Sequence, residues 1–548
     1  MSVHPGAGKL PHHSLLPDIP ALIAAYYTEF PDPKMPSQRI AFGTSGHRGS
    51  SLARSFNEEH IYAVTQAVCD LRRENSVTGP LFLGRDTHAL SEPAFRSALE
   101  VLIANGVTVR VQKDGGYTPT PVVSHAILCW NREHPDNLAD GIVITPSHNP
   151  PADGGFKYNP PHGGPAESTI TKRIEQRANG LLAQENKDVR LVTLMDALHS
   201  EHLIAHDYVA HYVADLENVV DMKAIAASGL RLGVDPLGGA SLPYWDPIAK
   251  YYGLHLTIVN TEADPSFRFI PLDRDGKIRM DCSSPFAMAH LLNLKDDFDL
   301  AFGCDPDADR HGIVTPQGLM NPNHYLSVAA DYLFRSRTKW SAKAKIGKTV
   351  VTSSMLDYVA KSLERGVLEV PVGFKWFVEG LLSGTCGMGC EESAGASFLR
   401  FNGLPWSTDK DGLILCLLAA EITAKCGRNP ALLYQELTQK FGAPIYERLD
   451  ATADDRTRQI LLHLSPDQID THSLGGLPIT QILNKADNEA IGGIKLVTEQ
   501  GWAAMRPSGT ENICKVYTEG FNGQEHLKRL QDDALALLNR ILHRQGVA

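Results

Sequence analysis

Residues 141–151 read GIVITPSHNPP, an apolar run that ends abruptly in a serine between proline and histidine. The run Gly141–Thr145 has the apolar, β-branched composition of a buried strand. Pro146 and the pair Pro150–Pro151 restrict the backbone on both sides of Ser147. The stretch therefore predicts a buried strand followed by a stiff turn that presents one hydroxyl group.

The same order of strand, helix, strand and polar loop occurs three times along the chain. In the second unit an apolar run, Phe298–Phe302, leads into CDPDADRH at Cys304–His311, and the third unit closes with CEESAG at Cys390–Gly395. Strands that alternate with helical stretches indicate right-handed βαβ units and mostly parallel sheets. Ligands bind beyond the carboxyl ends of such strands, so we expect the three loops to face one cleft.

This pattern predicts an α/β protein with three similar α/β/α domains of mixed sheet and a C-terminal α+β domain around a central cleft. The sequence changes its rhythm near Phe441, which indicates a fourth domain in the C-terminal part of the chain. The predicted domains are 1–203 with the Ser147 loop, 204–324 with the aspartate loop, 325–435 with the Glu391 loop, and 436–548 with the segment RPSGTEN.

Individual elements follow from the same pattern. Strands are predicted over Leu81–Gly84, Val107–Val111, Leu230–Asp235, His255–Val259, Thr349–Thr352 and Val367–Val370. Helices are predicted over Glu92–Asn105 and Met355–Glu364.

Composition and charge exclude several classes of function. The 548 residues are 43% hydrophobic and 21% charged, and 52 basic against 63 acidic residues give a net charge of −11, which disfavours general nucleic-acid binding. Nine cysteines without a C-x-x-C motif argue against a zinc knuckle or a disulfide framework. The N-terminus lacks the apolar core of a signal peptide, and the longest apolar run, Leu413–Ala420, is too short to span a bilayer. We expect a cytoplasmic protein with no membrane or nucleic-acid partner.

The aspartate loop is a candidate metal site. Asp305, Asp307 and Asp309 alternate along a loop that follows a strand, so their carboxylates can converge on a hard cation. An EF-hand is excluded because Arg310 and Pro316 occupy the positions that require Gly and Glu. Mg²⁺ is favoured if a phosphate oxygen completes the coordination shell. The alternative is a solvated acidic turn.

The segment RPSGTEN, Arg506–Asn512, is a candidate phosphate site. The guanidinium of Arg506 can hold a phosphate through two hydrogen bonds, and Ser508, Thr510 and the backbone around Gly509 offer further donors. The alternative is a surface turn with a helix cap.

Two further segments have weaker signals. Glu391–Ser393 offers acceptors and a hydroxyl suited to sugar hydroxyls, or is a solvated acidic loop. The segment GTSGHRG, Gly43–Gly49, is glycine-rich with one cation but lacks the Lys-Ser/Thr ending of a P-loop, so a plain turn is its alternative.

Ser147 has two functional interpretations besides that of an ordinary turn serine. It lacks the flanking glycines of the hydrolase motif G-x-S-x-G, and adjacent side chains such as His148 usually point apart, which disfavours an acyl-transfer triad. The second interpretation is a serine that carries a phosphoryl group beside a divalent ion. Lys157 is close enough in sequence to assist proton transfer or charge balance.

Several of these motifs occur together in one known family. GTSGHRG, TPSHNPP, DPDADRHG, CEESAGAS, STDKDG and RPSGTEN stand in the order found in the α-D-phosphohexomutases, and the chain resembles that family, most closely its bacterial phosphoglucomutases, along essentially its whole length. The resemblance implies a four-domain enzyme, an isomerase that interconverts glucose 1-phosphate and glucose 6-phosphate through a phosphoserine and glucose 1,6-bisphosphate.

The resemblance also implies roles for individual residues. Ser147 would be the phosphoserine, and Asp305, Asp307 and Asp309 would hold Mg²⁺ against its phosphate. The charged positions that take part in catalysis would be Arg48, His148, Lys157 and Lys410. The residues that would bind the phosphosugar are Arg310, Lys375, Glu391, Ser393, Arg506, Ser508, Gly509 and Thr510.

Two departures from the family pattern leave the ligands in place. The metal loop reads DPDAD where many relatives have DGDGD, and Cys390 stands where relatives usually have Gly. The sequence Glu-Glu-Ser resembles that of the glucose branch of the family. The alternatives are a phosphomannomutase or another hexose-phosphate mutase, then a metal-dependent phosphatase, and then a non-catalytic phosphosugar-binding protein. We expect a monomer or homodimer.

Overall fold

The computed structural model describes residues 3–43, 46–507 and 513–545. Its first domain is a mixed sheet between layers of helices. Its strands are β1 His47–Gly49, β2 Leu81–Arg85, β3 Val109–Gln112, β4 Asp140–Ile144, β5 Gly154–Asn159 and β6 Leu203–His206. Its helices are α1 Ile19–Thr28, α2 Glu58–Glu74, α3 Ser91–Ala104, α4 Thr120–Glu133, α5 Ser168–Ala183 and α6 Leu194–Leu198. The strand order is β1-β5-β4-β2-β3-β6, in which β5 runs antiparallel between β4 and β1. Strand β4 is buried on both faces, because Ile142 and Ile144 pack in one layer and Val143 in the other.

The second domain repeats this plan with a smaller sheet. Its strands are β7 Leu232–Asp235, β8 Leu256–Ile258, β9 Leu300–Cys304, β10 His311–Thr315 and β11 Gly318–Leu319. Its helices are α7 Tyr208–Asp215, α8 Met222–Ser228, α9 Leu242–Tyr252 and α10 Ala289–Asn293. The strand order is β11-β10-β9-β7-β8, with β7, β8 and β9 parallel.

The third domain has the same parallel strands and an antiparallel partner. Its strands are β12 Lys345–Thr349, β13 Val367–Val370, β14 Cys386–Glu391 and β15 Gly395–Phe398, in the order β13-β12-β14-β15. Its helices are α11 Pro322–Ser336, α12 Met355–Ser362, α13 Val378–Ser383, α14 Gly412–Cys426 and α15 Pro430–Phe441.

One strand prediction in the third domain was wrong. The strand predicted over Thr349–Thr352 ends at Thr349, because Val350 and Val351 lie beyond the sheet and bury their side chains against the fourth domain. The true strand contains Lys348, which is buried because Asp357 and Glu369 neutralise its charge. Its charged residues hide the strand from an analysis of hydrophobic pattern alone.

The fourth domain is an antiparallel sheet with helices packed on it. Its strands are β16 Ile445–Thr452, β17 Ser473–Leu474, β18 Leu477–Ala486, β19 Glu489–Thr498, β20 Gly501–Pro507 and β21 Ile513–Gly520, in the order β16-β21-β20-β19-β18-β17. Its helices are α16 Asp455–Leu462 and α17 Gly523–Arg544. Three α/β/α domains of mixed sheet and a C-terminal α+β domain confirm the predicted fold class.

The first three domains share one topology. In each, the parallel strands lie in the spatial order third, first, second: β4-β2-β3, β9-β7-β8 and β14-β12-β13. Each third strand is followed by an antiparallel strand, β5, β10 or β15. The three predicted polar loops are these three hairpin connections, so each occupies the same position in its domain.

The division of the chain into domains stays a prediction. The predicted boundaries at 203, 324 and 435 fall within β6, α11 and α15, so we propose boundaries at the adjoining connections Asp207, Asn321 and Gly442. One continuous hydrophobic core extends from α4 of the first domain through the second and third. The fourth domain has its own core and meets the third through a small cluster around Trp502. None of the described helices is both long and apolar enough to cross a bilayer.

Candidate active site

The turn after β4 holds Ser147 in a strained backbone conformation. Ser147 has a φ of 61°, which is uncommon for a residue other than glycine, and it is 1% exposed. Its N–H donates to Thr145 Oγ1 at 2.9 Å, and its hydroxyl donates to Asp305 Oδ2 at 3.0 Å. Gly155 allows β5 to close against this turn, because a Cβ there would lie 2.0 Å from the Thr145 carbonyl oxygen. The predicted stiff turn therefore aims its hydroxyl at the aspartate loop of the next domain.

A buried carboxylate braces the turn from behind. Asp86, in the loop after β2, accepts hydrogen bonds from Thr145 Oγ1 at 2.6 Å, Ser91 Oγ at 2.5 Å and His88 Nδ1 at 2.8 Å. The other ring nitrogen of His88 lies 3.0 Å from the carbonyl oxygen of Asn149. The pair therefore holds residues on both sides of Ser147. Burial opposes the charge of both groups, but their mutual attraction prevails, lowering the pKa of Asp86 and raising that of His88.

The aspartate loop after β9 forms a buried acidic pocket. Asp305, Asp307 and Asp309 are at most 2% exposed, and one carboxylate oxygen of each lies within 4.8 Å of the others. The Oδ1 atoms of Asp307 and Asp309 are buried with no hydrogen-bond partner among the described residues. Burial and then the two neighbouring carboxylates raise the pKa of Asp305 well above its usual value. Buried oxygen acceptors that repel one another fit a small hard cation.

Two lysines from other domains reach the same pocket. Lys157, on β5, lies 2.6 Å from Asp307 Oδ2 and 3.2 Å from Asp309 Oδ2. Lys410, just before α14, lies 3.2 Å from Asp309 Oδ2. Burial lowers the pKa of each lysine, but the neighbouring carboxylates outweigh it. Asp307 and Asp309 raise the pKa of Lys157 above its usual value, and Asp309 and Glu391 do the same for Lys410. Both side chains are therefore cations.

Arg310, Arg48 and His148 line the pocket around the serine. Arg310 donates its backbone N–H to Asp305 Oδ1 at 3.0 Å, and Arg48 interacts electrostatically with Asp307. The Nδ1 of His148 lies 3.3 Å from Ser147 Oγ. Burial, and then the positive charge of Arg310, hold the pKa of His148 well below its usual value, so the imidazole is neutral.

The loop after β14 connects the pocket to the third domain. Glu391 is 5% exposed, accepts the Gly373 N–H at 3.0 Å and lies 3.9 Å from Lys410 Nζ. Burial raises the pKa of Glu391. Ser393 is partly exposed in the same loop. Lys375 donates to Ser168 Oγ at 2.6 Å, at a contact between the first and third domains.

The fourth domain contributes Arg506 at the end of β20. Its Nε donates to the Ile491 carbonyl at 2.8 Å, and its guanidinium lies close enough to Glu392 and Glu391 to interact electrostatically. Burial lowers its pKa. The predicted phosphate-site residues Ser508, Gly509 and Thr510 lie outside the described residues.

The structure brings the predicted residues of the first three domains into one continuous cluster. Contacts run from Ser147 to Asp305, from Lys157 to Asp309 and from there through Lys410 to Glu391. Lys375 makes its hydrogen bond with Ser168, outside this chain of contacts.

The sequence analysis missed three residues that support the cluster. Asp86 and His88 brace the serine turn, and they follow β2 in a polar strand-end loop whose single aspartate has no spacing that indicates a ligand. Asp281 interacts electrostatically with His148 and Arg310. It comes from an irregular segment between β8 and α10, so no element pattern points to it.

Comparison with known proteins places this geometry in context. Four family descriptions match: phosphoglucomutase/phosphomannomutase alpha/beta/alpha domain I over residues 39–185, domain II over 210–318, domain III over 321–441, and the C-terminal domain over 477–537. A phosphoglucomutase of Komagataeibacter xylinus is 57% identical over 536 residues, 97% of each chain. A phosphoglucomutase/phosphomannomutase of Thermococcus kodakarensis is 25% identical, over 91% of this chain and 99% of its own.

A solved structure shares the fold. The open form of pp63/parafusin, a phosphoglucomutase from Paramecium, superimposes with a TM-score of 0.72 at 20% identity, over 94% of this chain and 96% of its own.

Proposed function

Because the chain belongs to the phosphoglucomutase/phosphomannomutase family, we propose that it interconverts α-D-glucose 1-phosphate and glucose 6-phosphate. The reaction would pass through a phosphorylated Ser147 and a glucose 1,6-bisphosphate intermediate. The observation that carries the proposal is the position of Ser147, whose hydroxyl points into the buried aspartate pocket, in a chain 57% identical to a phosphoglucomutase.

The aspartate pocket supports a role for Mg²⁺. We propose that Asp305, Asp307 and Asp309 hold the ion together with the phosphate on Ser147, and their unpartnered buried oxygens agree with this. When bound, the ion offsets the negative charge of the transferring phosphoryl group.

The neutral imidazole beside the serine supports a proton relay. When the phosphoryl group leaves Ser147, the serine oxygen gains a proton, and when it returns the oxygen gives one up. His148 lies 3.3 Å from that oxygen and is neutral, so we propose that it accepts and returns this proton. Lys157 and Lys410 are held as cations and would stabilise the charge of the transferring group.

The far side of the cleft supports recognition of the sugar and of its second phosphate. Glu391 and Ser393 offer acceptors and a hydroxyl to the sugar, while Arg506 would bind the phosphate that is not reacting. Arg310 and Lys375 would add positive charge at the two ends of the phosphosugar. The bisphosphate must turn around between the two transfers, so both phosphates visit both sites, and water must be excluded from the phosphoserine meanwhile.

The cysteines support a cytoplasmic setting. None of the nine, all of which lie in the described ranges, forms a disulfide, which agrees with the reducing cytoplasm. We propose a cytoplasmic enzyme that takes a phosphosugar substrate.

A coupled assay with Mg²⁺ tests the activity. Glucose 1-phosphate is expected to give glucose 6-phosphate, with kcat/KM about ten-fold or more above that for mannose 1-phosphate and glucosamine 1-phosphate. The variant Ser147→Ala, assayed with added glucose 1,6-bisphosphate, is expected to lose at least about a thousand-fold in rate. Ser362→Ala, at a hydroxyl that bonds only within its own helix end, is the matched control and should keep full activity.

Two results would overturn the proposal. One is full mutase activity of Ser147→Ala. The other is release of inorganic phosphate without glucose 6-phosphate, which would indicate a phosphatase instead.

A further inference from the structure

A second cluster of reactive groups lies where three parts of the chain meet, away from the candidate active site. His125 and Cys129 lie on α4, Asp215 ends α7, and Arg400 follows β15. His125 and Arg400 are 3% and 4% exposed, whereas Cys129 is partly exposed. The cluster therefore combines a nucleophile that solvent reaches with charges that solvent does not screen.

Asp215 fixes both neighbouring cations. Arg400 donates through Nη1 to Asp215 Oδ1 at 2.7 Å and through Nη2 to Oδ2 at 2.5 Å, and His125 Nε2 lies 2.7 Å from Oδ2. These are the geometries of a forked guanidinium–carboxylate pair and of a charge-assisted imidazole bond.

The thiol of Cys129 lies against both cations. Its Sγ is 3.5 Å from His125 Nε2 and 3.7 Å from Arg400 Nη2. His125, Cys129 and Asp215 have donor atoms close enough for a metal ion, but the guanidinium of Arg400 already lies beside all three side chains. The chain thus supplies its own cation at this position, and a metal ion would have to displace it.

The electrostatics favour a thiolate. Burial lowers the pKa of His125, but the sulfur of Cys129 and the hydrogen bond to Asp215 raise it to about 9. Burial raises the pKa of Cys129, but His125 and then Arg400 outweigh it and bring the pKa below its usual value.

We propose that Cys129 is a modification site, a thiolate that His125 and Arg400 activate toward small electrophiles, with hydroperoxides as the natural class. The thiolate attacks one peroxide oxygen, so an S–O bond forms and the O–O bond breaks. The sulfur is oxidised to a sulfenic acid, and the other peroxide oxygen leaves as hydroxide, or as alkoxide from an organic hydroperoxide, and takes up a proton to become water or an alcohol.

Contacts through Trp406 connect the Cys129 cluster to Lys410 in the candidate active site. The ring of Trp406 lies 4.9 Å from the Arg400 guanidinium and 4.4 Å from the His125 ring, and its Nε1 donates to Asp411 at 2.8 Å. Asp411 is the neighbour of Lys410. A group added to Cys129 would push on Arg400 and His125, which both pack against Trp406, so the segment 406–411 should loosen.

Competitive labelling of the full-length protein tests the proposal independently of its catalytic activity. Limiting iodoacetamide at pH 7, followed by peptide mass spectrometry, compares Cys129 with Cys426, an exposed thiol whose pKa burial raises. Cys129 is expected to react about ten-fold faster although it is the less exposed of the two. The labelling rate at Cys129 should level off at a lower pH than the rate at Cys426, because the pKa of Cys129 is lowered and that of Cys426 is raised.

Hydrogen peroxide with dimedone should give a sulfenic adduct at Cys129, and hydrogen exchange of residues 406–411 should then accelerate. Equal or slower labelling of Cys129, or a parallel pH profile of the two cysteines, would overturn the thiolate. Absence of the dimedone adduct would overturn the assignment to hydroperoxides. The variant Cys129→Ser should lose the adduct and keep unperturbed exchange in 406–411 under peroxide.

Discussion

The brace behind the serine turn predicts that Asp86→Asn frees the turn without unfolding the domain. Both carboxylate oxygens of Asp86 accept hydrogen bonds, from Thr145 and the His88 ring on one oxygen and from Ser91 and the His88 N–H on the other. An asparagine keeps one acceptor oxygen and turns an NH₂ group toward two donors. Hydrogen bonds to a charged group contribute about 1.5–3 kcal/mol each, so the loss of two weakens the turn by about 3–6 kcal/mol.

Hydrogen exchange of the peptide that contains Ser147 measures this loss locally, which suits a multidomain chain better than a global unfolding curve. The Ser147 amide, which is bonded to Thr145 Oγ1, should exchange about 10²- to 10⁴-fold faster in Asp86→Asn. The rate constant kcat should fall while KM for the sugar changes little, because the sugar loops are untouched.

The control is Asp331→Asn. Asp331 forms a surface ion pair with Arg335 at 2.8 Å, and such pairs contribute at most about 1 kcal/mol. Unchanged protection of the Ser147 amide in Asp86→Asn would refute the reasoning, since the turn would then hold itself without the brace.

Two further predictions concern the packing of the metal loop and the acid stability of the first domain. Gly412→Ala should abolish activity, because its Cβ would lie 2.1 Å from the Arg310 carbonyl oxygen. In the control Gly180→Ala the new Cβ meets no described atom within 4 Å, so this variant should stabilise α5 by up to about 1 kcal/mol. Thermal midpoints and mutase assays check both variants, and an active Gly412→Ala would contradict the clash. Burial lowers the pKa of His60 to about 4, from a value near 6.5 in the unfolded chain. Between pH 6.5 and 4 the unfolded state therefore binds a proton on His60 that the folded state does not bind. The free energy of unfolding should fall with the pH through this window, by about 3 kcal/mol in all. The neutral ring is fixed by its 2.8 Å contact with the Gln38 carbonyl oxygen, and His60→Gln should flatten the fall of the thermal midpoint between pH 6.5 and 4, while an unchanged slope would exclude His60 as its source.

The sequence predicted well those elements whose residues all have the composition typical of one kind of secondary structure. Residues 141–144 have no polar side chain, and the predicted strand Gly141–Thr145 forms β4, Asp140–Ile144, within one residue of its bounds. The strand at Lys345–Thr349 was missed because two of its five residues are lysines, and only tertiary contacts neutralise Lys348.

The candidate site divides in the same way. The three loops were found because each places a dense polar motif directly after an apolar strand. Asp86 was missed although it follows a strand, because a single aspartate beside a threonine and a histidine has no spacing that indicates a ligand. Asp281 comes from irregular chain, where position depends on packing alone.

The electrostatics of the cleft explain why one site needs several domains. The carboxylates of Asp305, Asp307 and Asp309 bring up to three negative charges into a buried pocket, and Arg310 of the same domain, about 4 Å from Asp305 and Asp309, offsets only part of the cost. Lys157 arrives from the first domain and Lys410 from the third, so part of the acidic charge is offset only when the domains are docked. A phosphate on the serine adds about −2 and a divalent ion +2, so the two together leave the net charge of the pocket unchanged, whereas either one bound alone shifts it by about two units. Phosphorylation and ion binding should therefore favour each other, since each supplies the charge that the other needs in a site that water does not screen.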